Sequence, residues 1–222
     1  MKLDLTRKSF GDTQVLGNIS LEVERGETVA LTGPSGVGKS TLMRIISGLD
    51  PVFHGTLTGV GRVGMVFQEP TLLPWRSALD NILIATECDK PTALAALAQV
   101  ELGTRHAAFP RQLSLGQQRR VALARALAAN PDTLILDEAF ASLDEATASR
   151  MRSLTRGILQ AANFHTFIVT HHLQDAVELA DRVLLLDSSP AKIRVDYRFA
   201  TPAHCRDQSE ELDILRQKLQ QG

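Results

Sequence analysis

Only two cysteines occur in the 222 residues. Cys88 and Cys205 lie far apart and in no metal-ligand spacing, which speaks against a disulfide scaffold and for a reducing compartment. No apolar run approaches the ~18 residues that a membrane span requires. The opening segment, MKLDLTRKSF, has no long apolar core, so it does not read as a secretory signal. An excess of charge is missing too: 24 Lys and Arg face 25 Asp and Glu, a net charge of −1. That balance makes no case for a nucleic-acid partner. Internal repeats and low-complexity linkers are also lacking.

What is present is ordinary for a soluble globular chain. Hydrophobic residues are 44% and charged residues 22%, which excludes bulk disorder and fibrous classes. The length suits one large domain, or one domain with a subdomain, able to bury roughly 70% of its unfolded surface.

Two strand patterns are visible. Leu3 and Leu5, then Ile19, Leu21 and Val23, alternate with polar residues, as half-exposed antiparallel strands do. Short continuous apolar runs at Val29–Leu31, Met65–Phe67, Leu134–Leu136, Phe167–Val169 and Val183–Leu186 suit strands of a parallel sheet buried on both faces. Helices are expected over 39–48, 77–85, 91–101, 115–129, 144–162 and 172–180. A final amphipathic helix is expected at 208–220. Leu42, Ile45, Ile46 and Leu49 would form one buried helical face, with Gly48 as its stop. The pattern is α/β, with an antiparallel β-portion at the start and a helical insertion near 71–130.

Polar residues follow four of the buried runs: Thr32-Gly33, Gln68, Asp137-Glu138 and Thr170-His171. Ligands of open α/β sheets bind at the carboxyl ends of strands, so these segments predict one composite site. Gly33-Pro34-Ser35-Gly36-Val37-Gly38-Lys39-Ser40 fits G-x-x-x-x-G-K-[ST], after a strand and before a helix, as that nucleotide-binding motif requires. Its glycines free backbone N–H groups to curl around phosphate, and the helix N-terminus adds positive potential. Lys39 supplies a point charge for β- and γ-phosphates, and Ser40 a hydroxyl for Mg²⁺. Asp137 at the end of a hydrophobic strand suits Mg²⁺. Glu138 suits general-base work on a water. His171 would reach a γ-phosphate, and Gln68 the Mg²⁺ or the water.

Ser114-Leu115-Gly116-Gln117 admits two readings. Ser114 and Gln117 form a capping box, or the same groups hold a phosphate at a helix N-terminus. Five arginines and no acidic residue lie between Glu101 and Asp132, which a solvated helix face would equally explain.

Together these segments resemble the ATP-binding subunit of an ABC transporter, from about residue 2 to about residue 190. GPSGVGKST at 33–41, ending in Thr41, matches the phosphate-binding loop, and LILDE at 134–138 the strand bearing Mg²⁺ and catalytic acids. LSLGQ at 113–117 is similar to the family signature, with Leu115 at a position that is usually Gly. ASLD at 141–144, ending in Asp144, matches the loop that follows, and VTH at 169–171 the switch histidine. Ala139 stands where many relatives have Pro. Phe10 matches the aromatic that stacks on adenine, with Val15 beside it. The fold implied is a P-loop NTPase core in a single domain over 1–222, with a helical subdomain at about 71–130 and a tail at 190–222.

The family implies ATP and Mg²⁺ held in a sandwich of two ATPase subunits, taken as a homodimer. Each ATP would lie between one P-loop and the partner's Ser114, Gly116 and Gln117. Partners would be a transmembrane permease and a periplasmic or lipid-anchored solute-binding protein, at the cytoplasmic face of the inner membrane. VFQEPTLLPWRSALDNI at 66–82 and DEAFASLDEAT at 137–147 resemble the nitrate, sulfonate and taurine branch of bacterial importers. Leu72, Leu73 and Trp75 would then form an apolar patch for a permease helix, unless Trp75 is core. The alternatives are an exporter or lipoprotein-release ATPase, and a soluble ABC-type ATPase acting on nucleic acid or ribosomes. The latter usually carry two nucleotide domains or long insertions. A non-hydrolysing module would lack a reacting residue, yet Lys39, Glu138 and His171 are all present.

Overall fold

Strand β1 (Lys2–Phe10) is the organising element of the first half of the computed structural model, which describes residues 1–221. It pairs antiparallel with β2 (Thr13–Leu16) and β3 (Ile19–Glu22), as the alternation of Leu3 and Leu5 with polar residues predicts. The chain then enters β4 (Thr28–Thr32), buried along its whole length, and helix α1 (Lys39–Ile46). It returns as β5 (His54–Thr58) to pair with β1. The remaining elements are β6 (Val63–Val66), α2 (Ala78–Thr86), α3 (Lys90–Gln99), α4 (Leu115–Ala128), β7 (Thr133–Asp137) and α5 (Glu145–Ala161). They continue with β8 (His165–Val169), α6 (Leu173–Leu179), β9 (Arg182–Asp187), β10 (Lys192–Arg198) and α7 (Gln208–Gln221).

The second sheet has the order β10-β9-β4-β8-β7-β6. All neighbours are parallel except β9 and β10. The continuous apolar runs form β4, β7, β8 and β9, each flanked by two strands, and β6 at the edge; strands packed on both faces need no polar side. One core cluster joins α1 and β4 to the antiparallel sheet through Leu3, Leu16, Leu31 and Ile45. Another joins α2, α3 and α4 to β6 and β7 through Ile82, Leu97, Val121 and Leu134. Leu215 of α7 is buried against Ala176 and Val177 of α6.

Three expectations are corrected. Leu49 is 63% exposed rather than part of the α1 face. The helix ends at Ile46, and Gly48 (φ 76°) turns the chain away first. Phe67 lies beyond the end of β6 and is 37% exposed, so the buried run is Met65-Val66 alone. Strands β2, β5 and β10, absent from the sequence reading, each lie at a sheet edge.

Candidate active site

The glycines at 33 and 38 are dictated by close approach as well as by backbone angle. At Gly33 (φ 143°) a Cβ would stand 2.2 Å from the carbonyl oxygen of Leu186. At Gly38 (φ 117°), the N-cap of α1, it would stand 2.6 Å from Leu16 Cδ2 and 3.3 Å from Val15 Cγ1. The loop from 33 to 40 is thereby wedged between β9 and β2, and Val15 is placed at its side. No side chain caps α1, so its first-turn amides remain for an incoming acceptor. Lys39 is buried, and its Nζ donates to the carbonyls of Gly33 (2.8 Å) and Pro34 (2.9 Å), spanning the loop. Burial lowers its pKa from the ordinary value, while Glu138 and Asp137 oppose that shift. Ser35, Gly36 and Ser40 are exposed, and Pro34, Val37 and Thr41 complete the rim.

Sheet order assembles the rest. β8, β7 and β6 follow β4 side by side, and their registers pair Leu31 with Val169, Asp137 with Val169, and Val66 with Leu136. His171, Glu138 and Gln68 each lie one or two residues past those pairs. They therefore emerge on the same edge as the Lys39 loop. His171 Nδ1 is 3.6 Å from Glu138 Oε1. Glu138 adopts the left-handed backbone region (φ 49°), and its N–H donates to the carbonyl of Val169 at 2.9 Å. A non-glycine residue held there is strained, and such strain concentrates at reactive sites. The Asp137 carboxyl is pushed above its usual range by burial, then by the charge of Glu138, against weaker pulls from Arg44 and Lys39. A second acid beside a buried one calls for a cation.

Phe10 closes β1 with its ring 51% exposed, over the buried Lys8 Nζ at 4.5 Å from the ring centroid. Asp50 pairs with that ammonium at 2.6 Å. A free aromatic face backed by a fixed cation is a surface on which a base can stack.

Ser114, Gly116 and Gln117 are not brought to this edge. Both halves of the capping box are made: Ser114 N–H donates to Gln117 Oε1 at 3.0 Å, and Gln117 N–H donates to Ser114 Oγ at 3.3 Å. Asp144 likewise caps α5 by accepting from Thr147 N–H at 3.0 Å. Thr147, through its side chain first and then its N–H, holds the Asp144 carboxyl below the ordinary range. Gly116 lies against α5, where a Cβ would meet Thr147 Cγ2 at 2.6 Å. A cavity of about 340 Å³ opens here among Ser114, Gly116, Gln117, Arg120, Thr147 and Arg150, and no residue of the 33–41 loop lines it. A larger cavity of about 780 Å³ between the ends of α3, α4 and α5 is lined by none of the candidate site residues.

The arginines of α4 do not form a solvated face, because each finds a partner within the chain. Arg119 donates to the carbonyls of Ala139 and Gln68, and Arg125 to those of Pro70 and Thr71. Arg120 pairs with Glu101 at 2.7 Å. Sequence reasoning also missed the support behind His171. Thr170 Oγ1 donates to the buried Asp175 carboxylate at 2.6 Å, and Asp175 faces Arg152 of α5. The signal for the first bond was a Thr five residues before an acid in a helix's first turn. Trp75 is 67% exposed, so it is not core, whereas Leu72 packs partly against the helical cluster.

Comparison with known proteins agrees with this fold. The family described as ABC transporter matches residues 16–141. An aliphatic sulfonates import ATP-binding protein of Rhodococcus jostii is 44% identical over 96% of this chain and 89% of its own. One from Burkholderia cenocepacia is 40% identical over 94% and 82%. Among solved structures, a dimeric ATP-binding cassette in a post-hydrolysis state bound to ADP and Pi superposes with a TM-score of 0.73. It is 28% identical, over 90% of this chain and 99% of its own. A dimeric bacterial ABC transporter cassette gives 0.74 at the same identity and coverage. The family match over more than half of the chain, and relatives of 40% identity or more over most of it, show that the chain belongs to the ABC transporter family.

Proposed function

We propose that this chain is the ATP-hydrolysing subunit of a bacterial importer for sulfonate-like solutes, working as a pair of subunits beneath a membrane permease. The observation that carries it is the juxtaposition of Lys39, His171, Asp137, Glu138 and Gln68 on one edge, with Ser114–Gln117 facing elsewhere. A site split in this way is completed when a second copy brings its signature to the first copy's loop. The dimeric cassettes among the structural relatives support that arrangement, and the sulfonate-import relatives support the solute class.

The first-turn amides of α1 and Lys39 bind the β- and γ-phosphates of ATP. Phe10 and Val15 receive the base. Ser40, Asp137 and Gln68 are the residues that would hold Mg²⁺, which neutralises phosphate charge when bound. A single carboxylate suffices because Mg²⁺ keeps waters and phosphate oxygens as its other ligands. Glu138 orients a water and takes its proton as the water oxygen bonds to the γ-phosphorus. The bond to the β–γ bridging oxygen breaks, and its electron pair leaves with ADP. His171 steadies the γ-phosphate. From the partner, Ser114 Oγ and the Gly116 and Gln117 amides would complete the phosphate cage, and Asp144 would lie at the seam. The exposed Trp75 is offered to the permease. No described helix is long and apolar enough to cross a membrane, so attachment to the inner membrane's cytoplasmic face would run through that permease. A separate solute-binding protein outside would supply the solute.

The test is deletion of the gene in its host, followed by growth on an aliphatic sulfonate as sole sulfur source. Loss of growth, restored by the parental gene and not by the Glu138→Gln gene, is expected. Undiminished growth and sulfonate uptake in the deletion strain would overturn the solute assignment.

A further inference from the structure

We propose that Arg119 is a positioning residue for hydrolysis, tying the signature helix α4 to the two loops that present Gln68 and Glu138. Arg119 is 2% exposed. Its Nη1 donates to the carbonyl of Ala139, the residue after Glu138, at 3.1 Å. Its Nη2 donates to the carbonyl of Gln68 at 3.3 Å. The described residues place no carboxylate in an ion pair with it, and its Nε is buried without an acceptor. Burial lowers its pKa from the ordinary value.

A buried guanidinium without a counter-ion is costly. If the position served packing alone, Met or Leu would fill it without that cost. What the guanidinium does that they cannot is donate in two fixed directions at once, here to backbone on two separate loops. Those loops leave the neighbouring strands β6 and β7. Arg125, further along the same helix, extends the attachment by donating to the Pro70 carbonyl at 3.1 Å and the Thr71 carbonyl at 2.9 Å. Thr71 sits in the left-handed region (φ 47°), so the segment is held in a shape it would not favour alone.

Arg119 touches no substrate. It acts by fixing where Gln68 and Glu138 start from, and by passing any displacement of α4 to both. Because Ser114 caps α4, engagement of the signature on one chain becomes a shift of the water-handling groups of that same chain. This last consequence rests on the two-subunit reading above; the positioning role rests on ATP hydrolysis alone.

The test compares Arg119→Met, which removes both bonds, with Arg119→Lys, which keeps the charge but cannot fork. Four quantities are read on the full chain: Mg-ATP affinity, kcat, the Mg²⁺ concentration for half-maximal rate, and amide hydrogen exchange over 66–72 and 137–143. In Arg119→Met, affinity should stay within about twofold while kcat falls about tenfold or more, since misplacement of reacting groups costs rate before binding. The Mg²⁺ requirement should rise, and exchange in both segments should quicken while α4 stays protected. Arg119→Lys should fall between. Parental kcat and exchange in either folded variant would overturn the proposal. So would affinity and kcat falling together, which would mark a packing residue. If Arg119→Met does not fold, Arg119→Lys decides alone. An inactive parental chain would count against the ATPase reading, and the exchange measurement would still decide the tether.

Discussion

His171 Nδ1 lies 3.6 Å from Glu138 Oε1, although the two residues follow different strands. The contact exists because β7 and β8 are neighbours with Asp137 opposite Val169. It is longer than a hydrogen bond, as sites often are before substrate tightens them. Glu138→Gln should therefore bind Mg-ATP with near-parental affinity and lose about a hundredfold or more in kcat. Gel filtration with Mg-ATP should show it accumulating as a dimer; a purely monomeric profile would contradict the split site.

Lys39 is fixed across its loop by two hydrogen bonds. Lys39→Ala removes a point charge already in place and both bonds to the loop carbonyls. ATP affinity should fall about tenfold or more, for a charge-assisted contact to phosphate. Titration with a fluorescent ATP analogue measures this, and unchanged affinity would remove Lys39 from the site.

Asp137 makes stability depend on pH in an unusual direction. Its folded pKa lies above the unfolded one because of burial and Glu138. Its favourable contribution is therefore complete below the unfolded pKa and is lost as pH rises through the folded pKa. Near neutrality the ionised group destabilises the folded chain. Asp137→Asn should raise Tm at pH 7.5 and show a shrinking advantage towards pH 4. The same variant should lose Mg-dependent hydrolysis. Scanning calorimetry across that range would expose an opposite slope.

Gly116 and Thr147 should behave as a coupled pair. A Cβ at 116 would sit 2.6 Å from Thr147 Cγ2. Gly116→Ala should cost about 1 kcal/mol, or about 2–4 °C in Tm. Thr147→Ser, which deletes that methyl, should restore most of the loss. Independent effects in the double-mutant cycle would mean the two do not meet.

Trp75 offers an optical check of a surface assignment. As the sole tryptophan, mostly exposed, it should emit as a water-exposed indole and change little on unfolding. Trp75→Ala should leave stability within about 0.5 kcal/mol. A blue-shifted emission in the isolated chain would show it buried.

How far the molecule could be read from its residues depended on what each signal was made of. Val29–Leu31, Leu134–Leu136 and Phe167–Val169 announce themselves because a strand covered on both faces must be apolar throughout. The residues after them were legible as a site because chemistry in such sheets lies at strand ends. β5 was not, since in His54–Thr58 only Leu57 is even half-buried and no alternation survives. β10 alternates Ile193, Val195 and Tyr197 with charged residues, a pattern that passed unread in a segment taken as a tail. Phe67 and Leu49 were misjudged because periodicity does not say where an element stops. The role of Arg119 had no signature at all. Its acceptors are backbone carbonyls, which every residue possesses.

β4 lies at the centre of its sheet, yet it is made early and paired late: Thr28 stands opposite Thr166 in β8, and Val29 opposite Arg182 in β9. During synthesis the phosphate loop that follows β4 therefore leaves the ribosome long before the strands that will flank it. Until residues 165–187 have emerged, the loop has neither the Leu186 carbonyl beside Gly33 nor the strand that brings His171. Such long-range pairing is slow and leaves apolar segments open meanwhile. Tight nucleotide capture should consequently appear only once β9 is complete, and a nascent chain stalled before it should remain a client of chaperones.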